Sequence, residues 1–334
     1  MRIGLSYDLR GSVSVGPGAA KDALEEYDSA ETVEAIASAL EVAGHSVVML
    51  GGGRDFISKI LDVEIDIVFN IAEGRGNYRS REAQVPSILE MLDVPYTGSD
   101  PLCLSICLDK PLTKALVQYN GISTPKWRIL TKMQDFDNVS WEGFRFPAFV
   151  KPAHEGSSMG IGAGSRVEDM DELTPVASSL LQRYRQPVMV EEFIDGDEVT
   201  VGIVGNSPPR VVGIMRVLPR VADPHFIYSV QVKRDWKNLV DYECPARLSS
   251  GTLQKLESTS IKVFQMLGCR DFARVDYRVD PTGEPFFIEI NPLPGLGHHG
   301  DLPIMSAMMG ISHQSLISSV LKSAIERYPQ CVRK

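Results

Sequence analysis

Ala273-Arg274-Val275-Asp276-Tyr277 and Phe287-Ile288-Glu289-Ile290-Asn291-Pro292 are two runs rich in β-branched and aromatic residues, the composition of strands. Asp280-Pro281-Thr282-Gly283 between them has the residues of a tight turn. Pairing Val279 with Glu284 across that turn predicts a hairpin in which opposed residues sum to an odd number. Side chains alternate along a strand, so Arg274, Asp276, Glu289 and Asn291 are expected on one face. One guanidinium, two carboxylates and an amide together suit a hard cation beside a positive charge. Mg²⁺ takes oxygen ligands and usually binds one or two carboxylates plus substrate phosphates. A solvated polar face with a cross-strand ion pair is the competing reading.

The chain has 334 residues, a length that suggests two or three domains. Its 43% hydrophobic and 23% charged content is that of an ordinary globular protein. The net charge is −9 and no basic run stands out, which argues against nucleic acid or an anionic membrane as partner. A few local lysines and a metal could still serve a nucleotide. Cys103, Cys107, Cys244, Cys269 and Cys331 are odd in number and follow no paired zinc spacing, although Cys103 and Cys107 can share a helix face. Reduced, mostly structural thiols in a cytoplasmic protein are expected. Met1-Arg2 runs straight into the strand pattern Ile3-Gly4-Leu5-Ser6-Tyr7 rather than a signal peptide, and no apolar run approaches the ~18 residues of a membrane span.

Along the chain, residues 2–7, 46–50 and 65–70 read as strands. Residues 30–43 read as a helix, with Val33, Ile36, Ala37 and Leu40 on one stripe and Gly44 as its stop. This pattern predicts an α/β fold beginning with an open parallel sheet. Ligands gather at the carboxyl ends of such strands, where the long loop 8–28 and the loop 71–81 fall. Residues 95–100 mark a plausible boundary. Three units are expected: a parallel-sheet substrate domain at 1–100, a central unit at 101–187 and a metal-binding unit at 188–334.

Other segments add chemistry. The strand Ala148-Phe149-Val150-Lys151 ends in a lysine and leads to a Gly/Ser loop, Glu155-Gly156-Ser157-Ser158-Met159-Gly160-Ile161-Gly162. Small residues let backbone N–H groups approach an anion. The loop lacks Walker A spacing, and a mobile surface loop is its bland alternative. Glu191-Glu192-Phe193-Ile194-Asp195-Gly196-Asp197-Glu198 offers carboxylates for ribose hydroxyls and apolar groups for a purine, or simply an acidic surface hairpin.

Taken in order, Lys110, Lys151 with its loop, the Glu-Glu-Phe-Ile segment, Arg-x-Asp and Glu-x-Asn-Pro resemble the ATP-grasp ligases. Within that superfamily the chain resembles the D-alanine–D-alanine ligase group. The matching segments are Phe69-Asn70, Pro95 to Ser99, Asp109-Lys110, Glu155 to Ser158, Cys244 to Ala246 and Asn291 to Gly295. The resemblance implies two ATP-grasp domains, α+β in character, that sandwich ATP. It implies ATP contacts for Lys110, Lys151, Glu191, Phe193, Ile194, Glu198 and Lys233. It implies Mg²⁺, usually two ions, on Asp276, Glu289 and Asn291, with Mn²⁺ as an alternative. Arg274, Ser157 and Gly295 would act on the reacting groups: γ-phosphoryl transfer makes an acyl phosphate, an amine attacks, and Arg274 and backbone donors near Gly295 steady the developing charge. The 155–162 loop and the stretch 222–226 are expected lids that keep water away. A homodimer acting on small amino-acid-like substrates in peptidoglycan biosynthesis is the corresponding expectation.

The chain departs from the family pattern around the substrate. Glu73 stands where the family commonly has histidine, Arg234 where it has tyrosine, and Gly300, flanked by His299 and Asp301, where it has serine. Losing a donor opposite a buried carboxylate forfeits about 1.5–3 kcal/mol. Arg234 or His299 is expected to replace it, while Glu26, Asp28 and Glu31 all remain open as the carboxylate for an amino group. A ligase for another amino acid, hydroxy acid or peptide is therefore the first alternative. A nucleotide-binding regulator without turnover and a kinase acting on a hydroxyl are the others.

Overall fold

The computed structural model describes residues 1–16 and 18–332. Strands β1 (Arg2–Ser6), β2 (Ser46–Gly51) and β3 (Ile67–Asn70) form a parallel sheet of order β2-β1-β3. β3 is buried along its whole length, as expected for a strand covered on both faces. The helix Ala30–Val42 makes the first crossover; Ser29 Oγ accepts from Thr32 N at 3.1 Å to cap it, and Val33, Ile36 and Leu40 face the core. A second helix, Gly53–Asp62, joins β2 to β3. The sequence pattern did not predict it, because only Phe56 and Ile60 are buried along its length. Parallel strands nevertheless require such a crossover.

Strands β4 (Trp127–Leu130), β5 (Ala148–Pro152), β6 (Arg166–Val167) and β7 (Val188–Glu192) form an antiparallel sheet of order β4-β7-β5-β6. Val150, Val188 and Val190 pack with Leu173, Ala177 and Leu180 of the helix Met170–Tyr184. Alternation then turns Phe149, Lys151 and Glu191 to the other face. β7 pairs with both β4 and β5, so a division before Val188 would part it from both partners.

Strands β8 (Asp197–Val204), β9 (Arg210–Pro219), β10 (Val240–Glu243), β11 (Phe272–Val279) and β12 (Pro285–Asn291) form the largest sheet, ordered β10-β9-β8-β11-β12. Val199, Val201, Val275 and Tyr277 bury against Leu256, Val263 and Phe264 of the helix Ser250–Met266. That leaves Glu198, Thr200, Arg274, Asp276 and Arg278 on the opposite face.

The β11–β12 hairpin differs from the expected register. Val279 pairs with Pro285, not Glu284. The pairing shifts between Asp276 and Tyr277, so Ile288 is an extra residue in β12. This bulge places Asp276 opposite Glu289 and Arg274 opposite Asn291. Bulges re-aim side chains, and here consecutive Ile288 and Glu289 both border one cleft while Phe287 turns into the core. The expected cluster therefore forms, through a bulge rather than an unbroken ladder.

Candidate active site

A cleft of about 830 Å³ lies between the two antiparallel sheets. Its walls include Lys151, Glu191, Phe193, Ile194, Glu198, Lys233, Arg274, Asp276 and Glu289. Among the expected nucleotide and metal residues, Lys110 and Asn291 lie just behind it, in a small cavity that Glu289 also lines.

The floor is a buried lysine clamp. Lys151 Nζ is 2.6 Å from Glu191 Oε1 and Lys114 Nζ is 2.8 Å from Glu191 Oε2. Burial opposes charge on all three groups, but the paired charges prevail at two of them: Glu191 is held below the usual carboxylate range by Lys114 and Lys151, and Lys151 is held above the usual amine range by Glu191 and Glu289. Lys114 is pushed down to about 8 by burial and by the neighbouring Lys151 charge, against the pull of Glu191. The Glu191 carboxylate is thus engaged by two lysines, while its backbone is held in the sheet between β4 and β5.

The metal-type residues form the next layer. Arg274 Nε donates to Asp276 Oδ1 at 2.9 Å, and Thr200 Oγ1 donates to the same oxygen at 2.6 Å. Arg274 Nη1 lies 3.0 Å from Asp301 Oδ2. Lys110 Nζ lies 3.3 Å from Glu289 Oε2 and also donates to the Glu155 carbonyl. Burial would raise the Glu289 carboxyl, yet Lys110, Lys151, Arg274 and Lys233 hold it down at about 2. Asp276, Glu289 and Asn291 offer only oxygen donors on adjoining positions of one hairpin, a set that fits a hard divalent cation.

At the far end, the Phe193 ring has the Arg278 and Arg166 guanidinium groups 5.1 Å and 5.2 Å from its centre. Arg278 also donates to Glu198 Oε2 at 2.7 Å and to the Ile194 carbonyl at 2.9 Å. It fixes three of the expected base and ribose residues at once.

A second cavity adjoins the cleft and shares Lys233 and Arg274 with it. Glu26, Asp28, Glu73, Ser157, Gly295, His299 and Gly300 line it. Burial and the charges of Glu82, Glu26 and Asp28 drive the Glu73 carboxyl well above its usual range. Burial and then Asp8 raise Asp28 to about 7. Glu26 is instead tied to Arg81 Nη2 at 2.6 Å and to Gly156 N at 2.5 Å, so it anchors the Gly/Ser loop. Ser157 and Ser158 have φ of 47° and 58°. Ser158 Oγ donates to the Tyr228 carbonyl at 3.0 Å, which ties the Gly/Ser loop to a residue two beyond the expected 222–226 lid.

Two departures from the family pattern take definite form. Arg234 is half-exposed and does not line the second cavity, but it pairs at 2.6 Å with Glu25, which does. A Cβ on Gly300 would lie 2.3 Å from the Gly295 carbonyl oxygen. A serine does not fit there without backbone movement. Of the two expected replacements for the missing donor, only His299 faces the cavity.

Sequence reading assigned no role to Lys114, Arg278 or Asp301. Two signals were present: Lys114 is one helical turn after Lys110, and Arg278 continues the Arg274-x-Asp276 alternation. Asp301 reaches Arg274 only through the tertiary fold.

Residues 116–322 match the family model described as D-ala D-ala ligase C-terminus. The chain belongs to the D-alanine–D-alanine ligase family. That family comprises ATP-dependent carboxylate–amine ligases. A D-alanine–D-alanine ligase of Aquifex aeolicus is 35% identical over 88% of this chain and 94% of its own length. An uncharacterized protein of Sinorhizobium fredii is 32% identical over 88% of each chain. The crystal structure of a Bacillus anthracis D-alanine–D-alanine ligase complexed with ATP superposes with a TM-score of 0.76 at 25% identity, covering 99% of both chains. The VanG D-Ala:D-Ser ligase of Enterococcus faecalis shares the fold, with a TM-score of 0.74 at 20% identity over 97% of this chain and 99% of its own. Among the described residues, no single helix is long and apolar enough to cross a membrane.

Proposed function

We propose that this enzyme joins the carboxylate of one amino-acid substrate to the amine of a second, with Mg²⁺-ATP in the inter-sheet cleft and both substrates in the adjoining cavity. D-alanine is the leading substrate for both positions. The observation that carries this reading is that Lys233 and Arg274 line both spaces. A γ-phosphoryl group entering from one side and a carboxylate from the other would meet beside these two cations. Carboxylate attack on the γ-phosphorus releases ADP and leaves an acyl phosphate. Amine attack on the acyl carbon then expels phosphate and forms the amide.

Each part of this chain has a task. Lys151, oriented by Glu191, Lys110 and Lys233 offset phosphate charge, which is most of what phosphoryl transfer requires. Asp276, Glu289 and Asn291 would hold Mg²⁺, which neutralises phosphate charge when bound. Arg274, braced by Asp276 and Asp301, offers its positive charge to the acyl phosphate and to the oxyanion formed on amine attack. Backbone donors near Gly295 line the same cavity. The Ser158 to Tyr228 contact joins two loops that can exclude water from the acyl phosphate.

We also infer three structural units, with the second division placed in the Phe193–Gly196 turn so that β7 stays with its sheet. A homodimer in the cytoplasm completes the reading. A different acceptor amine is the second reading, favoured by the absent side chain at Gly300 and by the carboxylate Glu73 in the cavity wall. Stopped-time ADP and phosphate assays with D-alanine, other amino acids and hydroxy acids separate the two. Release with D-alanine supports the first reading. Release only with another acceptor supports the second, and silence with every amine refutes both.

A further inference from the structure

The helix Pro101–Leu108 and the turn before β11 bring together three thiols that the catalytic reading does not use. Cys103 Sγ lies 3.9 Å from Cys107 Sγ and 3.5 Å from Cys269 Sγ, and all three sulfurs fall within 4.8 Å of one another. All are buried and none forms a disulfide. Cys103 and Cys107 share one helical face; Cys269 arrives from a distant part of the chain, which is why sequence spacing gave no zinc pattern.

A zinc–sulfur bond of about 2.3 Å places sulfurs on one ion about 3.8 Å apart in tetrahedral geometry and about 4.0 Å apart in a planar trigonal one. The Cys103–Cys107 and Cys103–Cys269 separations fall within a few tenths of an ångström of those spacings. We propose that Cys103, Cys107 and Cys269 form a site for one thiophilic d¹⁰ cation of the Zn²⁺ class, separate from the oxygen-donor hairpin. Cys107 borders a cavity of about 300 Å³ together with Glu82, Lys110, Glu289 and Asn291, next to the cleft. Binding releases the thiol protons to solvent, because the thiolate is the ligand. Three thiolates on a dication leave one negative charge, and the Lys110 ammonium lines the same cavity. An ion here would tie the helix that leads into Lys110 to the start of the strand carrying Arg274 and Asp276.

The test uses the full-length reduced protein. Cd²⁺ is titrated while thiolate-to-metal ultraviolet absorption is recorded, and Zn²⁺ is titrated against a chromogenic chelator. The expected result is one equivalent with a thiolate band, unchanged in Glu289→Gln and in saturating Mg²⁺-ATP. Cys269→Ser should weaken binding by roughly tenfold or more, since even loss of an outer-shell partner costs that much. No thiolate band in the wild-type protein, or the same band in Cys103→Ser and Cys269→Ser, would overturn the proposal. Should those variants fail to fold, native wild-type protein is treated with a thiol-reactive probe. Zn²⁺ should protect three thiols, and equal labelling with and without Zn²⁺ would equally overturn it.

Discussion

Replacing Glu191 by glutamine keeps its shape and removes the negative charge that two buried ammonium groups share. Lys151 Nζ is 2.6 Å and Lys114 Nζ 2.8 Å from its oxygens, and the three side chains are only 3%, 0% and 4% exposed for Lys151, Lys114 and Glu191 respectively. Breaking a buried pair by removing one partner costs about 3–5 kcal/mol. Lys114 offsets part of this, because burial and Lys151 already lower it to about 8 and it can shed its proton near neutral pH. Each unit of such a shift corresponds to about 1.4 kcal/mol. A net loss of about 2–4 kcal/mol at pH 7 is expected. The sign with pH follows. A lysine whose folded value lies below its ordinary 10.5 sheds its proton first in the folded state, so folding gains relative stability as pH rises from about 8 toward 10.5. In Glu191→Gln that gain should begin at lower pH, so the deficit against wild type shrinks between neutral pH and about 9. Urea and thermal unfolding of Glu191→Gln, Lys114→Met and the double variant measure this, with the double variant losing less than the sum of the singles. ATP affinity should fall too, because Lys151 loses its orienting partner. A Glu191→Gln protein that unfolds within about 0.5 kcal/mol of wild type, the range of an ordinary surface change, would refute the clamp.

Other outcomes follow from the same contacts. Glu289→Gln should abolish Mg²⁺-dependent turnover while the far-ultraviolet circular dichroism stays that of the wild type, and full activity would remove Glu289 from the metal set. Arg274→Ala should reduce kcat by about 10²–10³-fold, the scale for losing a group that stabilises developing charge, with a smaller change in ATP Kd by calorimetry. Gly300→Ser should lower Tm and fail to improve use of an acceptor carboxylate, because its Cβ would meet the Gly295 carbonyl oxygen at 2.3 Å. Asp28→Asn should raise Tm at pH 8, with the gain vanishing as pH falls to about 4. Asp28 is raised from 3.8 to about 7, so it costs stability above that range and costs none once protonated in both states.

Most of the fold was legible wherever local pattern and tertiary need agree. The stripe Val33, Ile36 and Leu40 and the Gly44 stop gave the first helix, and the lysine ending an apolar strand at Lys151 pointed to a buried anion, which is Glu191. The helix Gly53–Asp62 was not legible, since few apolar positions and a run of glycines obscure its period. The metal-type face was read from alternation alone, yet that alternation is broken by the extra residue Ile288. Glu284 belongs to the turn, where its carbonyl accepts from Asp280 N, so Val279 meets Pro285 and the Val279 to Glu284 pairing was wrong; the bulge further along shifts the register once more and brings the expected cluster together. The antiparallel sandwich came from the family resemblance rather than from periodicity. The Asp301 brace on Arg274 and the Cys269 approach to Cys103 depend on long-range packing, which one sequence does not display. Arg234 is suited by chemistry to bind a carboxylate, but Glu25 at the cavity wall already engages it.

The most direct test of the central claim is product analysis by mass spectrometry after incubation with Mg²⁺-ATP and D-alanine, with ADP and phosphate measured in the same tube. The account predicts ADP, phosphate and an amide-linked product in equal amounts, with D-alanyl-D-alanine as the peak to look for first. ADP formed together with a stably phosphorylated substrate and no amide would contradict ligation at the Lys233 and Arg274 junction.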